Sequence, residues 1–134
     1  MKENLSQLLE SIYGNPIQIK SFEAIGGGCI NETQALKLSN GERVFLKSNP
    51  SAPKNFFTAE ADGLRLLERS KNGPSVPRPL GISTESNPQF LLLEYIESSV
   101  PKGGFASRFG QALAAMHKET QEQYGLDYDN FIGE

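Results

Sequence analysis

Three groups in this chain have the residue types and spacing to hold a polyphosphate. Gly26-Gly27-Gly28-Cys29-Ile30-Asn31 is a glycine run. Consecutive glycines let backbone N–H groups approach an anion closely, with no side chain in the way. Taken alone, the run fits a flexible hairpin better than an anion site. Lys47 follows at the end of an apolar segment, Arg43-Val44-Phe45-Leu46-Lys47, where its ammonium could reach phosphate oxygens or simply snorkel to water. Glu60 tips that balance. It falls among Phe56, Phe57 and Leu64 on the apolar side of a helical pattern. A carboxylate is uncommon there without a partner. A Lys47–Glu60 ion pair accounts for both placements. The glycine run is not a GxxxxGK[ST] loop, and a strand rather than a helix follows it. Neither a Walker loop nor a dinucleotide fingerprint is present.

Two further segments carry chemistry. Leu91-Leu92-Leu93-Glu94-Tyr95-Ile96 reads as a core strand running into a linker. Main-chain groups at such a strand end can hold adenine, with Glu94 C=O and Ile96 N–H as the natural pair two residues apart. An ordinary buried strand with a polar end would look the same. Cys29 is the single cysteine, so no internal disulfide can form. It reads either as a small apolar residue in a tight loop or as a redox-sensitive thiol beside an electropositive phosphate site. In the second case oxidation would link two chains into a homodimer through Cys29 and block the nucleotide.

The bulk properties narrow the function classes. The chain has 134 residues, the size of one ordinary domain, with 37% hydrophobic and 22% charged residues. The net charge of −3 leaves no basic surplus for nucleic acid. No apolar stretch approaches the roughly 20 residues of a membrane helix. The polar start Met1-Lys2-Glu3-Asn4 lacks the apolar core of a signal peptide, so a cytoplasmic location is the default expectation. With one Cys and one His, a structural zinc site is not expected, and His117 sits in no hydrolase motif.

These residues need elements to position them. Leu5, Leu8, Leu9 and Ile12 predict an amphipathic helix that Gly14 and Pro16 stop. Ile17, Ile19, Phe22 and Ile25 predict a strand into the glycines, and Asn31 to Leu38 a second. Ser39-Asn40-Gly41-Glu42 predicts a hairpin turn, in which Asn-Gly supplies positive φ, before a strand from Arg43 to Lys47. Ser48 to Pro53 reads as a loop. Phe56 to Glu68 predicts a helix, with Glu60 about two turns in and Asn72-Gly73-Pro74 as its stop. Pro79 to Ser83 and Phe90 to Glu94 predict strands, and Ser98 to Gly104 a linker. Phe105, Phe109, Leu113 and Met116 predict a last packed helix, closed by His117 and Lys118. Tyr124 to Glu134 reads as an irregular tail. Helices set among hairpin-joined strands predict an α+β domain.

An ordered set of segments carries a resemblance. It comprises Gly26-Gly27-Gly28-Cys29-Ile30-Asn31-Glu32, the strand to Lys47, and Phe57-Thr58-Ala59-Glu60-Ala61-Asp62-Gly63-Leu64. Val76-Pro77-Arg78-Pro79-Leu80-Gly81, Leu92-Leu93-Glu94-Tyr95 and Asp129-Asn130-Phe131-Ile132-Gly133 complete it. Together they resemble the N-terminal part of the fructosamine kinase (ketosamine-3-kinase) family, from about Ile17 to the end of the chain. That family belongs to the aminoglycoside-phosphotransferase-like, protein-kinase-like group.

The resemblance implies a protein-kinase-like N-lobe with a mainly antiparallel sheet over residues 1–97. Residues 98–134 would be a linker and the start of an incomplete C-lobe. It implies ATP-dependent phosphorylation of the sugar part of ketosamines, free or on glycated proteins. Gly26, Gly27, Gly28, Cys29, Ile30 and Asn31 would cover the phosphates and Lys47 would hold them. Glu60 would pair with Lys47, and Glu94, Tyr95 and Ile96 would form the adenine hinge. No role is assigned to Asp129 to Gly133. Such kinases also need a catalytic aspartate and Mg²⁺ ligands in a C-lobe. Here His117 is followed by Lys118-Glu119, and no His-Gly-Asp-like motif comes after it. The expectation is therefore a nucleotide-binding fragment that transfers no phosphate by itself. Kinases of the same fold with an aminoglycoside, choline or homoserine acceptor are the alternative, as is a non-catalytic remnant.

Overall fold

The computed structural model describes residues 2–26 and 30–131. Its elements run α1 (Lys2–Tyr13), β1 (Ile19–Ala24), β2 (Glu32–Leu38), β3 (Arg43–Asn49), α2 (Phe56–Glu68), β4 (Pro79–Ser83), β5 (Gln89–Glu94) and α3 (Phe105–Met116). The strands form one sheet in the order β1-β2-β3-β5-β4. Every neighbouring pair is antiparallel, so the architecture is the expected α+β one.

Alternation along the central strands sends two sets of side chains to opposite faces. Val44 and Leu46 of β3, with Phe90 and Leu92 of β5, point to the face that α1 covers with Leu5 and Leu9. Gly81 of β4 permits this docking. A Cβ there would stand 3.0 Å from side-chain atoms of both Leu8 and Ile12. Phe45, Leu91 and Leu93 point to the other face, where α2 packs Phe57 and Ala61 onto them. Phe57 has no exposed surface. Its burial is worth about 1.5–3 kcal/mol and is the main apolar anchor of α2.

Four local details differ from the sequence expectations. β3 continues past Lys47 to Asn49, because Ser48 and Asn49 still pair with Phe90 and Gln89 of β5. Glu60 is the fifth residue of α2, little more than one turn from its start. In the β2–β3 turn only Gly41 takes a positive φ, 89°. Leu38 N–H donates to Glu42 C=O at 2.9 Å, so the loop holds three residues, with glycine at its left-handed position. Finally, α3 is not packed: none of its residues is buried, and Phe105 and Phe109 stack on each other with ring centres 5.8 Å apart while staying half-exposed. His117 does close α3, donating its N–H to Leu113 C=O at 3.0 Å.

The irregular tail returns to α2. Tyr128 Oη donates to Asp62 Oδ2 at 2.6 Å, and the Phe131 ring lies 5.1 Å from that of Phe56. No helix among the described residues is long and apolar enough to cross a membrane.

Candidate functional site

Lys47 and Glu60 meet because their elements share one face of the sheet. Lys47 has the parity of Phe45 on β3, so it points toward α2. Glu60 lies one turn past Phe56 on α2 and faces back. Lys47 Nζ donates to Glu60 Oε1 at 2.5 Å. The two side chains keep only 20% and 28% of their surface exposed. In such partly desolvated surroundings each charge needs the other.

The pair forms part of the wall of a cleft of about 470 Å³. Gly26, Ile30 and Asn31, at the two described ends of the β1–β2 connection, line one side. Ile25, Phe45, Leu64 and Leu93 make an apolar side, joined by Thr33 and Pro77. The volume lies within the ordinary range of small-molecule sites. A cleft with one apolar side and an ammonium held in place by a carboxylate suits an amphipathic anion. Gly26 has room for backbone approach, since among the described residues nothing lies within 4 Å of where a Cβ would stand.

The ends of the glycine connection are tied down. At the entry Ile25 N–H donates to Thr33 C=O at 3.0 Å, and Thr33 Oγ1 donates to Ile25 C=O at 2.6 Å. At the exit Asn49 Nδ2 donates to Ile30 C=O at 3.3 Å and to Asn31 Oδ1 at 3.1 Å. Asn49 Oδ1 also accepts from Ser51 N–H at 2.8 Å. Asn49 is 7% exposed and is a functional candidate that sequence reasoning passed over as part of a loop. The signal that could have found it is Lys47 itself, since Asn49 lies two residues further along the same face.

The structure thus brings Gly26, Ile30, Asn31, Lys47 and Glu60 to one cleft. Gly27, Gly28 and Cys29 lie outside the described residues, as do Ile132 and Gly133 of the tail motif. Glu94 is the last residue of β5, and its N–H donates to Arg78 C=O at 2.9 Å. Glu94, Tyr95 and Ile96 do not line the cleft, but they follow directly on Leu93, which does. Tyr95 is held by Arg43, whose guanidinium carbon sits 3.9 Å from the ring centre. Arg43 also bonds Glu97 Oε1 at 2.9 Å and Glu23 Oε2 at 3.2 Å. One side chain therefore joins β1, β3 and the segment after β5. Ile96 is 56% exposed.

The cleft's only carboxylate among the described residues is Glu60, and it is committed to Lys47. No group of three or more His, Cys, Asp or Glu side chains gathers among the described residues to hold a metal ion.

Comparison with known proteins gives this arrangement a family. A family model described as fructosamine kinase matches residues 1–134. A probable ketoamine kinase of Synechocystis is 30% identical over 132 residues, which are 98% of this chain and 44% of the relative. A chloroplastic protein-ribulosamine 3-kinase of Oryza sativa subsp. indica is 35% identical over 123 residues, 90% of this chain and 35% of the relative. A crystal structure of a protein provisionally assigned as a fructosamine-3-kinase in Haemophilus somnus superposes with a TM-score of 0.86 at 33% identity. That match covers 99% of this chain and 45% of that one. The chain spans somewhat under half the length of the relatives it matches. The five-stranded antiparallel sheet and its helices correspond to the kinase-like N-terminal region of such structures. With the family model matching its whole length, the chain belongs to the fructosamine kinase family.

Proposed function

We propose that this chain supplies the ATP grip of a kinase that phosphorylates the sugar part of ketosamines, whether on small amines or on glycated proteins. The observation that carries the reading is the 2.5 Å Lys47–Glu60 pair in a cleft that Gly26, Ile30 and Asn31 also line. The residues present fit a nucleotide. Lys47 supplies a cation for the α- and β-phosphates, and Glu60 fixes its direction. Gly26 to Asn31 would supply N–H groups from above. The apolar side at Ile25, Phe45 and Leu93 suits the base, with Glu94 C=O and Ile96 N–H as its main-chain partners.

Residues 1–97 form the nucleotide-gripping lobe in this reading, and 98–134 begin the connection to the acceptor-binding part. The sugar-bearing acceptor would meet the nucleotide through groups that these 134 residues do not contain. The described residues of the cleft do not fit Mg²⁺, because Glu60, its one carboxylate among them, is already engaged by Lys47. The chain's contribution is to bind and orient the triphosphate. Activation of the attacking hydroxyl would lie elsewhere, so the chain alone binds without turnover.

Titration with a fluorescent ATP analogue tests this reading. Saturable binding is expected, weakened at least about tenfold by Lys47→Ala, the scale of one charge-assisted contact. Wild-type chain that binds no better than Lys47→Ala would refute it.

A further inference from the structure

The Asp129-Asn130-Phe131 segment, which stood out in the sequence without a role, packs on the helix that carries Glu60. We infer that Tyr128 and Phe131 are positioning residues: they clamp α2 from outside and so keep Glu60 on Lys47.

Three observations carry this. The first is an aromatic chain from tail to core. The Phe131 ring lies 5.1 Å from Phe56, and Phe56 meets buried Phe57 edge-on at 5.3 Å. Phe56 and Glu60 are one turn apart on one side of the helix, so a push on Phe56 is felt at Glu60. The second is the Tyr128–Asp62 hydrogen bond of 2.6 Å. Asp62 Oδ1 accepts from Arg65 Nη1 at 2.7 Å, so both carboxylate oxygens are held. The third is Ala59. It stands about 200° around the helix from both Phe57 and Ala61, facing away from the sheet. It is nonetheless only 2% exposed, and it borders a small cavity with Leu126 and Tyr128.

The buried sheet-facing residues of α2, Phe57 and Ala61, lie within one turn, and partly buried Phe56 and Leu64 flank them on the same sheet face. The tail adds contacts at Phe56 and Asp62, six residues and about 9 Å apart along the axis. Two grips at that separation resist both rolling and sliding of the helix. A slide of one residue moves Glu60 by about 1.5 Å along the axis and rotates it by about 100°, enough to break a 2.5 Å contact. The Tyr128 hydroxyl holds the Asp62 carboxyl below the usual range, and Asp62 in turn raises the Tyr128 phenol.

The inference leans on the nucleotide reading in only one of its two tests. The first needs no nucleotide. The Glu60 side-chain carboxyl ¹³C resonance is followed in the 134-residue chain at neutral pH. Lys47→Met gives the reference position for an unpaired Glu60. In Tyr128→Phe combined with Phe131→Ala, the resonance should move at least half-way to that reference, with sheet amide resonances unchanged. Phe131→Tyr, which keeps the ring, should leave it in place. A Glu60 resonance that stays at its wild-type position in the double variant, whatever the melting temperature does, overturns the inference. The second test is a coupling cycle on ATP-analogue affinity. The tail variant should weaken binding about five- to tenfold, and should weaken it no further in a Glu60→Gln background. An equal loss in both backgrounds would mean that the tail does not act through Glu60, and would also overturn it. If wild-type chain binds no nucleotide while the resonance moves as expected, positioning stands and the nucleotide reading falls.

Discussion

Lys47 Nζ and Glu60 Oε1 stand 2.5 Å apart and join the middle of the sheet to α2. The contact is three-quarters shielded from water, which separates its role in stability from its role in binding. Removing one partner leaves the other charge partly buried and alone. Lys47→Met or Glu60→Met alone should cost about 1–3 kcal/mol in urea unfolding, less than for a fully buried pair. The double change to Met should return stability to within about 1 kcal/mol of wild type, since apolar replacement of a buried pair is often neutral. It should nevertheless bind no ATP analogue. A double variant that regains binding along with stability would show that the pair is only structural.

Asn49 links the exit of the glycine connection to the chain that leads into α2. Its side chain makes three hydrogen bonds, to Ile30, Asn31 and Ser51. Asn49→Ala strands these groups in a nearly buried place and should cost about 1–3 kcal/mol. Asn49→Asp cannot donate to the Ile30 carbonyl and should not rescue it. Urea unfolding gives the stability arm. Affinity for inorganic tripolyphosphate gives the functional one, with about a fivefold weakening expected if the proposed phosphate site loosens. Unchanged affinity would mean that Ile30 and Asn31 are positioned without Asn49.

Lys47 and Glu60 could be found in the sequence because each breaks the pattern of its own element: a cation closing an apolar strand, and a carboxylate on the apolar side of a helix. Periodicity also placed α1 and α2, since Leu5, Leu8, Leu9 and Ile12 in the first, and Phe56, Phe57, Leu64 and Leu67 in the second, follow helical spacing. Asn49 escaped because Asn-Pro reads as a turn. Only its partner Gln89, 40 residues later, keeps it in a strand. The tail contact escaped for a similar reason. Tyr128 and Asp62 are 66 residues apart, and no local pattern announces a hydrogen bond at that distance. The expected packing of α3 failed because an apolar stripe reports what a helix can bury, not whether this stretch of chain supplies the surface.

The tail contact should exist only within a pH window. The Asp62 carboxyl is depressed, chiefly by the Tyr128 hydroxyl, so its contribution is present above the ordinary value of about 4 and is lost as pH falls through the depressed one. The Tyr128 phenol is raised, chiefly by Asp62, so its contribution is full below the ordinary value of about 10 and is lost as pH rises through the raised one. Phe131 ring-proton shifts, read by NMR, should stay constant between those limits and move toward free-chain values outside them. Both groups are largely exposed, so the change should be confined to the tail. In Asp62→Asn the acid transition should disappear. A wild-type tail that stays docked in acid strong enough to protonate Asp62 would show that the aromatic contact alone suffices.

Arg43 allows the base and the phosphates to be tested separately. It lies at the far end of β3 from Asn49, and it holds the segment after β5 through Tyr95 and Glu97. Its contacts to Glu23 and Glu97 are surface ion pairs with exposed partners, so Arg43→Ala should leave global stability little changed. The effect should instead fall on the order of residues 95–97, which the proposed hinge needs for adenine. Arg43→Ala should therefore weaken an ATP analogue about three- to fivefold and leave tripolyphosphate affinity unchanged. Lys47→Ala should weaken both. Arg43→Lys should not restore ATP-analogue affinity, because an ammonium cannot both stack flat on Tyr95 and fork to two carboxylates. Equal losses for ATP and tripolyphosphate in Arg43→Ala would place the base away from Glu94 to Ile96.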